Sequence, residues 1–223
     1  MENSTKDKIR NLRNKYSCEV YNTLLPEYKE ESMYKFSKKG ITLHSIARSL
    51  NVDMIIGTLD KISIPKGFQL SLEKQFSESF GQYYFYITAP DGTKSQNIFD
   101  FIEVEDSRMG AWQAYLLYTL WHILPLNDHS NYSARQFIFL DQDVESIKMV
   151  DKNPVEELED INTDLKVLQY ESHYFISCCY WSRFKGLIRE LVEIEITEGR
   201  AKEFIDVIAK DVYVYEYGRN IRL

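Results

Sequence analysis

Apolar residues recur along this chain at two different periods, and the switches between them mark out the elements it should form. Over residues 6–25, Ile9, Leu12, Tyr16, Val20 and Leu24 fall three or four positions apart, which draws one apolar stripe along a helix that Pro26 ends. A polar stretch through Lys39 and Gly40 follows, then a helix-like piece and short apolar runs over residues 41–64. Residues 1–50 are therefore expected to be largely helical. Over residues 83–87 the period drops to two, and Pro90-Asp91-Gly92 supplies turn chemistry before a second apolar run at residues 98–104, so a β-hairpin is expected there.

The clearest helix comes next. Ser107 can cap it, Met109, Trp112, Leu116, Leu120 and Ile123 form its stripe, and Pro125 stops it. Burying a side chain such as Trp112 or a leucine contributes about 1.5–3 kcal/mol, which predicts a helix lying against a sheet. In the last third, residues 137–140 read as a short strand and residues 155–168 as a helix with an acidic outer face. Residues 173–181 are apolar at both alternating sets of positions, as in a central strand. Residues 188–196 read as a strand whose Glu190, Glu193 and Glu195 make a wet face, Ala201, Phe204, Ile205 and Ile208 as a compact helical stripe, and residues 212–215 as a final strand.

The short link at residues 183–186 favours antiparallel pairing of its flanking strands, whereas a helix at 201–208 would let the last strand run parallel to its predecessor. The expected class is α+β: a mixed, largely antiparallel sheet with a central hairpin and helices packed on it. Residues 1–223 form a single globular domain in this reading, with a helical N-terminal part (1–50), a hairpin and central helix (80–125) and a mixed α/β C-terminal part (135–217). No internal repeat, low-complexity stretch or flexible linker divides it.

Charge narrows what such a protein can touch. Residues 141–171 hold ten acidic and three basic side chains, so this stretch alone carries the −7 net charge of the whole 223-residue chain. A concentrated acidic field repels phosphate backbones and anionic membranes and draws in basic surfaces. No run of about 18 apolar residues exists to span a bilayer, and the charged start lacks the apolar stretch of a secretory signal. Three cysteines, two of them adjacent at Cys178 and Cys179, make no disulfide framework and read as buried small hydrophobes. A soluble, cytoplasmic protein is expected.

Three kinds of chemistry are open to these residues. Residues 43–59 resemble a helix-turn-helix, with Ile46, Ala47, Leu50 and Val52 at its buried positions, which would imply a DNA-binding regulator. The resemblance breaks at Asn51, where the motif usually has glycine, and at Met54, Ile55 and Ile56, which run on without exposed polar positions. Arg48, Lys61 and Lys66 barely outweigh Asp53 and Asp60, too little charge to grip phosphates, so no nucleic-acid partner is expected and a core helix leading into a buried strand fits better.

A second grouping is His122, Asp128, His129, Asp141 and Asp143, with Glu171 and His173, whose imidazoles and carboxylates are the ligand types of a metal-dependent hydrolase. Pro125 separates His122 from His129, no His-Glu-x-x-His or calcium-loop spacing occurs, and His173 fits a satisfied core histidine better than a ligand, so no metal or cofactor is expected. Nucleophile elbows, phosphate loops and dinucleotide fingerprints are missing, and Gly81, Gly92 and Gly110 stand alone.

The third is recognition. Sixteen tyrosines and twelve phenylalanines exceed what one core of this size needs, and Tyr83, Tyr84 and Tyr86 cannot all lie on one face of their strand, so at least one ring approaches the surface. Exposed tyrosines beside carboxylates suit a protein-binding surface for a basic partner, for which Glu156, Glu157, Glu159, Asp160, Tyr84 and Tyr86 are the candidate residues. A bacterial immunity protein neutralising a cationic toxin would meet this physics. Equally open is that the tyrosines are ordinary half-buried strand residues. No membrane contact is expected on either view.

Overall fold

The computed structural model describes residues 56–76, 81–123, 136–138, 165–182 and 186–214. In chain order its strands are β1 (Ile62–Ser63), β2 (Gln69–Phe76), β3 (Gly81–Thr88), β4 (Lys94–Ser95), β5 (Glu103–Val104), β6 (Gln136–Ile138), β7 (Lys166–Tyr170), β8 (His173–Ser182), β9 (Gly186–Thr197) and β10 (Arg200–Val214). One long helix, α1 (Arg108–Ile123), and a 3₁₀ turn (Ile98–Asp100) interrupt them. Every strand pair among the described residues is antiparallel.

The principal sheet runs β10-β9-β8, with β6 and β7 both bonded to the remaining edge of β8. Consecutive short turns build it. Glu171 and Ser172 join β7 to β8, and Glu198 and Gly199 join β9 to β10 with φ of 55° and 72°, the two positive values that a type I′ hairpin needs. β6 and β7 lie in line: Ile138 faces Cys179 and Lys166 faces Ser177, so a single position of β8 separates them. Strands β6 and β7 therefore share this edge of β8 almost end to end, and the last residues of the acidic stretch, 166–171, form β7 and the turn after it.

Alternation along β8 and β9 explains the core. Tyr174, Ile176, Cys178 and Tyr180 pair with Ile194, Val192, Glu190 and Ile188, and the apolar members of this face pack with Ala111, Trp112, Ala114, Tyr115, Leu116 and Leu117 of α1. The opposite face carries Phe175, Cys179, Trp181, Leu187 and Leu191, which are buried as well. Strand β8 is therefore buried on both sides, as the apolar residues at both alternating sets of positions imply. Cys178 and Cys179 point to opposite faces and are not joined in a disulfide.

Capping of α1 follows the sequence signal: Gly110 N–H donates to Ser107 Oγ at 3.0 Å, and the helix ends two residues before Pro125. Gly110 is needed for space, since a Cβ there would lie 2.0 Å from the Glu105 carbonyl oxygen. Two further ties lock the layers. Gln113, fully buried, accepts the Lys61 N–H at 2.8 Å and donates to Asp60 Oδ1 at 2.5 Å. Val104 N–H donates to Gly199 O at 2.6 Å, and Arg200 donates to Asp100 O at 3.0 Å, which joins the β9–β10 turn to the β1–β5 pair.

Several sequence expectations are corrected here. Residues 201–208 are strand, not helix, and β10 runs antiparallel to β9. The ladder between them shifts register at three points, which leaves Lys202, Val207 and Val212 as unpaired extra residues. Each extra residue resets the alternation: Ala201 and Phe204 face Ile196 and Ile194, while Ile205 and Ile208 face Glu193 and Leu191. Same-face positions then fall three apart, and bulges imitate a helical period.

Glu190, Glu193 and Glu195 make no common wet face either. Glu190 and Glu193 differ in parity, so they lie on opposite faces, and both are buried, at 4% and 2% exposure. The helix expected over residues 155–168 cannot include its last residues, because Lys166, Val167 and Leu168 pair with β8 and Leu165 is not helical; residues 155–164 lie outside the described residues. The hairpin at Pro90-Asp91-Gly92 exists, but its second arm is only β4, and the main partner of β3 is β2 over eight pairs. Asn97 N–H donates to Ser95 Oγ at 3.1 Å, the chain turns inward, and Ile98, Phe99 and Ile102 enter the core in place of a strand arm.

Described residues include no helix long and apolar enough to cross a membrane. The expectations for residues 1–55 lie outside the described residues, as do those for 139–164.

Candidate functional site

Strand register places the two candidate tyrosines together. Ser71 faces Tyr86 and Glu73 faces Tyr84 across β2 and β3, and Thr88 faces Lys94 across β3 and β4, so these six positions share one side of the three-stranded sheet. The other side turns Ile87 into the core, with Leu70 packed beside it. Tyr84 and Tyr86 are half-buried, which leaves part of each ring facing out.

Polar contacts hold this face in shape. Lys94 Nζ lies 2.5 Å from Glu73 Oε1 and 5.8 Å from the centre of the Tyr86 ring, while Gln96 Nε2 donates to Tyr86 Oη at 2.9 Å. The turn that delivers Lys94 is fixed by Asp91, whose carboxylate accepts the Thr93 N–H at 2.9 Å and is thereby held below its ordinary pKa. A surface ion pair of this kind contributes under about 1 kcal/mol, so it shapes the face and opens at little cost. Chemically, the arrangement offers two rigid aromatic faces and one carboxylate, which suit contact area and cation binding.

Other sequence candidates are dispersed. His122 sits in the last turn of α1, and its side chain lies outside the described residues with Asp128, His129, Asp141 and Asp143. Glu171 occupies the exposed turn before β8, and His173 Nδ1 lies 2.9 Å from Glu193 Oε1, a satisfied histidine as its sequence context implies. Among the described residues no group of three or more His, Cys, Asp or Glu side chains could hold a metal ion. Glu156, Glu157, Glu159 and Asp160 also lie outside the described residues. Of the helix-turn-helix segment only its final residues are described: 56–58 are helical and Leu59 is buried in the core. Lys61, which would have served DNA, is paired with Glu105 at 2.7 Å, a bond that raises the lysine's pKa and lowers the glutamate's.

Two features escaped sequence reasoning. Glu190, buried beneath α1, accepts a hydrogen bond from the Tyr115 hydroxyl, to which Cys178 Sγ lies within 3.5 Å. Lys94, Glu73 and Gln96 gather around Tyr86 although they lie up to 23 positions apart in the chain. Residue parity in 188–196 was a usable signal for the first. The second needed the β2–β3–β4 register, which no local pattern specifies. Set against protein-family models, curated proteins and solved structures, the chain shows no significant match, so its function must be argued from the residues themselves.

Proposed function

We propose that this chain is a protein-binding module that engages a basic partner protein through an acidic, tyrosine-bearing surface, in the manner of an immunity or inhibitor protein acting on a cationic target. It works as a cytoplasmic α+β domain, without catalysis or cofactor and apart from nucleic acid and membrane. One observation carries the reading: Tyr84 and Tyr86 lie on the same half-exposed sheet face, with Glu73 directly opposite Tyr84. Tyrosine supplies large, rigid contact area with a polar tip, the property for which interfaces enrich it. The acidic stretch around Glu156, Glu157, Glu159 and Asp160 supplies the long-range field that draws a basic surface in.

Titration with a labelled arginine-rich peptide tests this, with a glutamate-rich peptide of equal length as control. Only the arginine-rich peptide should bind, and binding should weaken as salt shortens the range of the field. A replacement of both Tyr84 and Tyr86 by alanine that leaves the affinity unchanged, in a protein that still folds, would contradict the proposal.

A further inference from the structure

We propose that Tyr86 and Glu73 form a slot for a cationic side chain of the partner, and that Lys94 is the chain's own occupant of that slot, held there until the partner displaces it. The geometry is that of a recognised cation. The Lys94 ammonium sits 2.5 Å from a Glu73 carboxylate oxygen while lying 5.8 Å from the Tyr86 ring centre, within the reach of a cation–π contact. Gln96, bonded to Tyr86 Oη at 2.9 Å, steadies the ring.

Lys94 and Glu73 are about half exposed, at 50% and 41%, so solvent and competitors reach the ammonium. Arginine is the better competitor. Its planar guanidinium can meet a carboxylate with two parallel hydrogen bonds while stacking on an aromatic face, whereas an ammonium acts as a compact, strongly hydrated point charge. The slot therefore prefers an arginine of the partner, and Lys94 sets a threshold that screens out weaker cations.

Resting on the recognition role proposed above, the slot makes a prediction of its own. Lys94→Ala should tighten binding of the arginine-rich peptide about three- to fivefold, the worth of one exposed cation–π contact, and should tighten a lysine-rich peptide less. Lys202→Ala, on the exposed start of β10, makes the same charge change elsewhere and should give a smaller gain. Adding Glu73→Gln or Tyr86→Leu to Lys94→Ala should erase the gain, while adding Tyr86→Phe, which keeps the ring, should preserve it. Equal gains from Lys94→Ala and Lys202→Ala would overturn the slot. If the wild-type affinity still falls on replacing Tyr84 and Tyr86, the recognition face survives that result. If neither wild type nor Lys94→Ala binds the peptide at all, slot and face fall together.

Discussion

The Tyr174 hydroxyl donates a 2.6 Å hydrogen bond to Asp106 Oδ1 across 68 positions of sequence, and so fastens the central strand to the residues that lead into the helix. Burial, and then the bond to Asp106, disfavour the tyrosinate and push the Tyr174 pKa well above its ordinary value. The sign of the linkage follows. Stability from this raised pKa is fully present below the unfolded value of about 10 and is lost as pH climbs through the folded value. Tyr174→Phe should cost about 1 kcal/mol at neutral pH. Above about pH 10 the gap between wild type and variant should narrow, because only the wild type pays for ionisation. Urea unfolding of both proteins across alkaline pH checks this, and parallel curves would refute it.

Gly110 sets a steric limit at the first turn of α1. Alanine there gains about 0.5–1 kcal/mol of helix propensity over glycine. Against that, the new Cβ would stand 2.0 Å from the Glu105 carbonyl oxygen, a backbone atom that cannot step aside cheaply. Overpacking costs about 1–3 kcal/mol, so Gly110→Ala should be destabilising on balance, lowering Tm by about 2–4 °C per net kcal/mol lost. A Tm at or above that of the wild type would show that the turn can relax.

Glu190 places its carboxyl group inside the core, where it takes a hydrogen bond from Tyr115. Tyr115→Phe removes that donor and leaves the carboxyl group in place, which should cost about 0.5–1.5 kcal/mol. Glu190→Met in the Tyr115→Phe background removes the buried polar group as well, and should recover part of the loss. Denaturant unfolding of the two single variants and the double variant measures the coupling. Additive losses would mean that the two side chains do not act as a pair.

What could be read from the sequence was whatever repeats locally. The stripe through Trp112 and Leu116, the Ser107 cap and the doubly buried strand at 173–181 each depend on neighbours a few residues away, and all are present. Within strand 200–214, residues 212–214 were legible as strand, but 201–208 were hidden because the bulges at Lys202 and Val207 break the two-residue period on which strand recognition rests. The 98–104 run misled for a different reason: Ile98 and Ile102 are apolar because a turn buries them, not because a strand does. In the candidate face, Tyr84 and Tyr86 were legible from parity alone. Glu73 and Lys94 were not, since their approach depends on the pairing of β2 and β4 with β3.

The most direct measurement of the central claim is the association rate of an arginine-rich peptide by stopped-flow fluorescence at low and moderate salt. Steering by the acidic stretch predicts that replacing Glu156, Glu157, Glu159 and Asp160 with alanine slows association at low salt, by about tenfold or more, and that the difference shrinks as salt rises. Replacing Tyr84 and Tyr86 should instead speed dissociation and leave the on-rate nearly unchanged. An on-rate at low salt that is indifferent to the four acidic residues, with dissociation indifferent to the two tyrosines, would contradict recognition of a basic partner through this surface.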